Sequence, residues 1–158
     1  MPSTQTSDLA DLLEKSYSAT QELLSGIDPD LVVFEDPEWQ VRDIIWHLSA
    51  WDRQVAQSIE AFEFGGQFAI LDFDENGFNE AAIKEGRELS LDQILKESLR
   101  ARKEFQRVVE LFPEDQLEAA FLYPWGDERG DITKLVHYMV EHDAEHRVEI
   151  SSAAAMAG

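Results

Sequence analysis

The sequence contains no cysteine, which excludes disulfides, thiolate metal sites, iron–sulfur clusters and a thiol nucleophile. A thiol-free chain also fits a reducing compartment, so a cytoplasmic protein is expected. Basic residues are scarce: 13 Lys and Arg stand against 33 Asp and Glu, for a formal net charge of −20. Nucleic-acid binding depends on neutralising phosphates with a basic patch. No nucleic-acid partner is therefore expected, and an anionic membrane surface is disfavoured on the same ground. No apolar run approaches the roughly 18 residues that mark a membrane span. The opening Met1-Pro-Ser-Thr-Gln-Thr-Ser7 has neither the basic nor the apolar region of a secretory signal, so none is expected. Internal repeats and low-complexity runs are also missing. The one candidate for extended structure is a short stretch around Phe121–Tyr123.

What is present is a chain of 158 residues, 44% apolar and 10% aromatic, enough for a single globular domain over 1–158 with residues 1–6 as an N-terminal arm. Leu9, Leu12, Leu13, Ser16, Tyr17, Thr20, Leu23 and Leu24 recur at spacings of three and four and predict a helix over about 7–26. A connection over 27–38 follows. A second helix begins after Gln40, with Trp39 placed to fold over Ile44 and Asp43 in the capping-box position. It runs to about Phe62, with Val41, Ile44, Leu48, Trp51, Val55 and Ile59 inward. Residues 64–74 read as an irregular segment and 75–86 as a short helix, together either a lid over a pocket or an apolar cover for one end of the fold. Ser90-Leu-Asp-Gln93 is a capping box that starts the third long helix, which Pro113 ends. Its apolar positions include Leu95 and Leu99. Arg100, Arg102, Lys103 and Arg107 read as a solvated face pairing with Glu97, Glu104 and Glu110. Residues 113–130 form the longest connection, and Asp131 caps the fourth long helix. Four long amphipathic helices with one long crossover make an all-α four-helix bundle, with a short extra helix after the second.

The chemistry concentrates in three histidines. His142 and His146 are four residues apart, about 400° of helical rotation, so both rings leave one face together with Leu135, Met139 and Ile150. His47 lies on the apolar face of the second helix beside Ile44, Leu48 and Trp51. Neutral imidazole suits Zn²⁺, Ni²⁺, Fe²⁺ or Cu²⁺, and three protein nitrogens leave one position open. The bland reading is that the rings are hydrogen-bonded members of the core. Glu141 and Glu145 are rotated about 100° from their histidine neighbours and are not expected to face a metal. No His-Glu-x-x-His sequence occurs, so a metalloprotease lacks its general base. His137 falls about 140° away from His142 and is left out. Asp43 is either an outer partner of His47 or a charge complementing the helix dipole.

Two stretches resemble a known family. Trp39-x-Val41-x-Asp43-x-x-x-His47-Leu48-x-x-Trp51 is similar to the second-helix motif of the DinB/YfiT-like superfamily of metalloenzymes, and His137-x-x-x-Glu141-His142-x-x-x-His146-Arg147-x-x-Ile150 to its last-helix motif. Asp74-x-x-x-Phe78-Asn79-Glu80, followed by Leu89-Ser90, resembles members with an inserted short helix. The resemblance implies a bundle of DinB topology with His47, His142 and His146 as the metal triad, and Zn or Ni as the expected metal. It also implies a homodimer and a small-molecule substrate handled with a low-molecular-weight thiol, since relatives include mycothiol- and bacillithiol-dependent transferases and a maleylpyruvate isomerase. Gln40, where Ser or Thr is usual, and Glu149, where Gln is frequent, depart from the pattern.

Three functions follow as expectations. The first is an enzyme whose metal activates a thiol or water for transfer or hydrolysis on a small electrophile, in stress or detoxification, with Trp51 and Met139 shaping the pocket and residues 64–80 contacting substrate. The second is a protein that sequesters a small molecule without turnover. The third is a structural dimeric bundle with core histidines.

Overall fold

In a computed structural model, which describes residues 4–158, the predicted apolar stripes become helices that bury them. Helix α1 spans Thr4–Leu24, α2 Val41–Glu63, α3 Glu75–Gly86, α4 Leu91–Glu110 and α5 Ile132–Ala157. The expected arm is shorter than the sequence suggests. Residues 4–6 already belong to α1, where Thr6 is buried, and residues 1–3 lie outside the described range. Helix α1 packs on α4 and α5, and α2 packs on the same two helices. The pairs α1/α2 and α4/α5 are thus diagonal. The core between them runs from Leu9 and Leu13 through Val55, Ile59 and Phe105 to Leu135 and Met139.

The connection 27–38 is more ordered than its sequence suggests. Val32–Glu35 (β1) pairs antiparallel with Glu38–Gln40 (β2), and β2 runs straight into α2. Strands this short carry no alternation to read. The hairpin places Trp39 against the cluster that contains Val41 and Ile44, as the predicted staple requires. The Gln40 N–H donates to Asp43 Oδ2 at 2.8 Å. Ser90 and Asp131 cap α4 and α5 as expected: Gln93 N–H donates to Ser90 Oγ at 3.2 Å and Lys134 N–H to Asp131 Oδ1 at 2.9 Å. A second small ribbon pairs Phe121–Leu122 (β3) with Arg129–Gly130 (β4), where the sequence offered extended structure.

Two readings of the third long helix are corrected. Leu95 and Leu99 are exposed, because the buried stripe of α4 runs through Ile94, Ser98, Ala101, Phe105 and Val108 and leaves them on its edge. Arg102 is not on a solvated face: it is 2% exposed and sits among all four long helices. It donates two hydrogen bonds to Asp52 of α2, two to Asp143 of α5 and one to the Leu13 carbonyl of α1. Ser16 Oγ donates to Asp143 at 2.7 Å. Burial opposes the guanidinium charge, but the two carboxylates hold its proton firmly. Arg100 and Arg107 do pair with Glu97 and Glu104 on the surface.

Helix α3 rests on α2 through a close approach. A Cβ at Gly86 would lie 2.5 Å from Trp46 Cδ1, so the indole packs directly on the backbone of α3. One contact carries this docking into the cavity: Trp51 Nε1–H donates to Asn79 Oδ1 at 3.0 Å. Among the described residues, no helix is long and apolar enough to cross a membrane.

Candidate metal centre

His47 is held by the first turns of α2, whose start is fixed by the β2 junction and the Asp43 contact. His142 and His146 lie on one face of α5, eleven and fifteen residues beyond its cap at Asp131. The docking of α2 against α5 brings the three rings together, with centroids 4.7–5.0 Å apart. His142 Nε2 lies 3.1 Å from His47 Nε2 and 3.2 Å from His146 Nε2. The ligand atoms of all three residues fall within 4.8 Å of one another.

This donor set fits a transition metal. Nitrogen ligands about 2.0–2.1 Å from a tetrahedral ion lie roughly 3.3–3.4 Å from each other, close to the two separations seen. Hydrogen bonding alone serves the cluster badly. His142 Nε2 has one proton or one lone pair, yet two ring nitrogens approach it. At most one of those contacts is a good hydrogen bond, whereas a shared cation satisfies three lone pairs. Burial, reinforced by His142 and His146, pushes His47 down to about 2, against an opposing interaction with Asn79. Burial, together with His146, pushes His142 down to about 4. Both rings are therefore neutral at pH 7, the state a ligand needs.

The remaining expected residues are placed as follows. Trp51 and Met139 line the cavity over the histidines. Asp43 is 4% exposed, but its oxygens accept from the Gln40 N–H and from the Arg87 guanidinium. His47 Nδ1 is buried without a hydrogen-bond partner, so Asp43 does not bind it. His137 is exposed and away from the cluster. Phe73, Glu75, Asn79 and Glu80, from the segment expected to contact substrate, line the cavity.

Several neighbours were not singled out from the sequence as site residues. The Trp39 ring lies 5.0 Å from the His47 ring. Glu149 Oε1 approaches His146 Nδ1 at 2.7 Å, without the alignment of a hydrogen bond. The i, i+3 spacing of His146 and Glu149 on α5 was the available signal. The cavity measures about 1550 Å³, and its walls include Trp39, Trp51, Phe73, Trp125 and Tyr138.

The sequence profile of the DinB superfamily matches residues 12–150. No curated protein sequence matches the chain significantly. Among solved structures, the chain is similar to YfiT from Bacillus subtilis, described as a probable metal-dependent hydrolase with an unusual four-helix bundle topology. The TM-score is 0.77 at 16% identity, covering 100% of this chain and 90% of that one. A mycothiol-dependent maleylpyruvate isomerase superposes with a TM-score of 0.75 at 13% identity over 92% of this chain. The chain spans 60% of that isomerase's length. An uncharacterised protein from Escherichia coli UTI89 gives 0.75 at 16% identity, over 95% of this chain and 92% of that one. At these identities the likeness concerns the fold.

Proposed function

The chain belongs to the DinB superfamily, and from that premise we propose that His47, His142 and His146 hold a divalent transition metal, zinc or nickel, in an enzyme acting on a small electrophile. The observation that carries this reading is the convergence of three imidazoles at 3.1 and 3.2 Å beneath a large cavity. When bound, such an ion supplies Lewis acidity and lowers the pKa of a thiol or water at its open position. The histidines are held for this by two rigid helices rather than by loops. Trp51, anchored by Asn79, and Met139 wall the cavity and limit water around the reacting groups. The mycothiol dependence of the isomerase supports a low-molecular-weight thiol as nucleophile, and the description of YfiT supports water. Transfer and hydrolysis therefore share one site in this proposal. A cytoplasmic location, on the absence of cysteine, and a homodimer, on the family resemblance, belong to the same reading.

The test is metal analysis of protein purified without a histidine tag. About one ion per chain is expected, lost in His47→Ala, His142→Ala and His146→Ala, each checked for folding by circular dichroism. Unchanged metal content in all three variants overturns the reading. Thiol-transfer and hydrolysis assays on generic electrophiles then separate an enzyme from a protein that only sequesters its ligand.

A further inference from the structure

We propose that the cavity over the histidines takes an organic cation, a protonated amine or quaternary ammonium carried on an aromatic or apolar body. The assignment rests on the reading of this cavity as the substrate site, but not on the metal. Nine carboxylates line the cavity against two cationic side chains, a formal excess of seven negative charges. Of the two cations, Arg87 is already engaged by Asp43 and by the Glu38 carbonyl, which leaves Lys84. The carboxylates come from opposite walls, Glu75 and Glu80 from α3 and Glu141, Glu145 and Glu149 from α5. Among the described residues, only Glu149 of these five has a basic side chain within reach, the ring of His146. The other four are free to meet a ligand charge.

The chain as a whole carries −20, so its far field reinforces the local one rather than cancelling it. A divalent ion on the three imidazoles would offset two of the seven charges. An incoming anion would still meet a negative site, and a cation a favourable one.

The interior supplies what the rim lacks. Trp51 stands 5.7 Å from Phe73 and 6.2 Å from Trp125, and both neighbours also line the cavity. Aromatic faces bind both apolar bodies and cationic heads. Independently of the carboxylates, the floor holds a buried polar side chain. His47 is 3% exposed, lines the cavity and has an unpartnered Nδ1. At about 1550 Å³ the space exceeds that of an ordinary small-ligand pocket, so a ligand of drug size fits.

The charge order is testable with three ligands that share a phenyl-ethyl body: 2-phenylethylammonium, neutral 2-phenylethanol and 3-phenylpropionate. Calorimetric titration is run on the intact protein, after chelation and again after zinc loading. The cation is expected to bind about tenfold more tightly than the alcohol, with the carboxylate weakest. The advantage should shrink at high salt, because the rim charges are solvated. The triple variant Glu80→Gln, Glu141→Gln, Glu145→Gln should lower affinity for the cation and leave that for the alcohol unchanged. Trp51→Ala should weaken both. Equal binding of cation and alcohol, preference for the carboxylate, or binding of none of the three overturns the proposal. The order is read in chelated protein as well, so a chain that holds no metal but prefers the cation refutes only the metal reading. A metal-binding chain with no charge preference refutes only this one.

Discussion

Replacing Arg102 by Met removes one guanidinium and strands two carboxylates. Asp52 and Asp143 are each 2% exposed, and they share five hydrogen bonds with that side chain and the Ser16 hydroxyl. Burial already holds the Asp52 carboxyl above its usual range, with Arg102 as the main opposing influence. Without Arg102, the cheapest escape is to take up a proton. Neutralising a carboxylate of ordinary pKa 3.8 at pH 7 costs about 4 kcal/mol, at about 1.4 kcal/mol per pH unit. That figure caps the penalty for the first carboxylate. It agrees with the roughly 3–5 kcal/mol typical of a buried pair broken on one side. The sign with pH follows. A carboxyl whose folded-state pKa lies above its unfolded value binds its proton more tightly when folded, so stability is recovered as pH falls toward 3.8. The variant should be about 4 kcal/mol less stable than the parent at pH 7, with the deficit about 1 kcal/mol smaller at pH 5.5, because the raised Asp52 of the parent recovers part of the same gain. Urea unfolding at both pH values measures this. A deficit below about 1 kcal/mol at pH 7, or one that does not shrink on acidification, would refute the reasoning.

Further outcomes follow from the same geometry. Chelation should lower the melting temperature of metal-loaded protein by roughly 5–10 °C, as expected for loss of a ligand held at a hundredfold its Kd; no change in calorimetry counts against the site. In chelated protein, acidification from pH 6.5 toward 4 should destabilise, because His47 and His142 bind protons more weakly folded than unfolded. Each contributes about 1.4 kcal/mol per pH unit, opposed by Asp52 and by Glu63, which burial raises to about 7, so the measurement is made in the Glu63→Gln variant, where the two histidines outweigh Asp52. Urea midpoints across this range should fall with pH, and a flat profile contradicts the neutral, buried rings. Glu149→Ala should weaken metal affinity by on the order of tenfold by removing the carboxylate beside His146 Nδ1, as read by competition with a chromogenic chelator. Gly86→Ala should cost about 1–3 kcal/mol, since its methyl must displace Trp46, as read by thermal melts.

The helices were legible because their apolar residues keep a 3.6-residue period, and the bounds of α3 and the caps of α4 and α5 were readable from local chemistry. The shared face of His142 and His146 was legible for the same reason. Arg102 was misread because charge was allowed to outvote position. It stands four residues after Ser98 and three before Phe105, on the buried stripe. Asp52, four after Leu48 and three before Val55, carries the same signal. The β1–β2 hairpin left no periodic trace, and the closeness of Glu149 to His146 depends on rotamers that spacing alone does not fix.

The donors of the triad come from distant parts of the chain, with His47 95 positions ahead of His142. During synthesis the first imidazole would leave the ribosome several seconds before the other two, at about 5–20 residues per second. Until α5 has been made and has settled beside α2, the nascent chain offers an ion a single nitrogen. Metal uptake is in this sense a late event, open only to a nearly finished molecule, and a fragment ending before Asp131 should pass through a metal-rich environment empty.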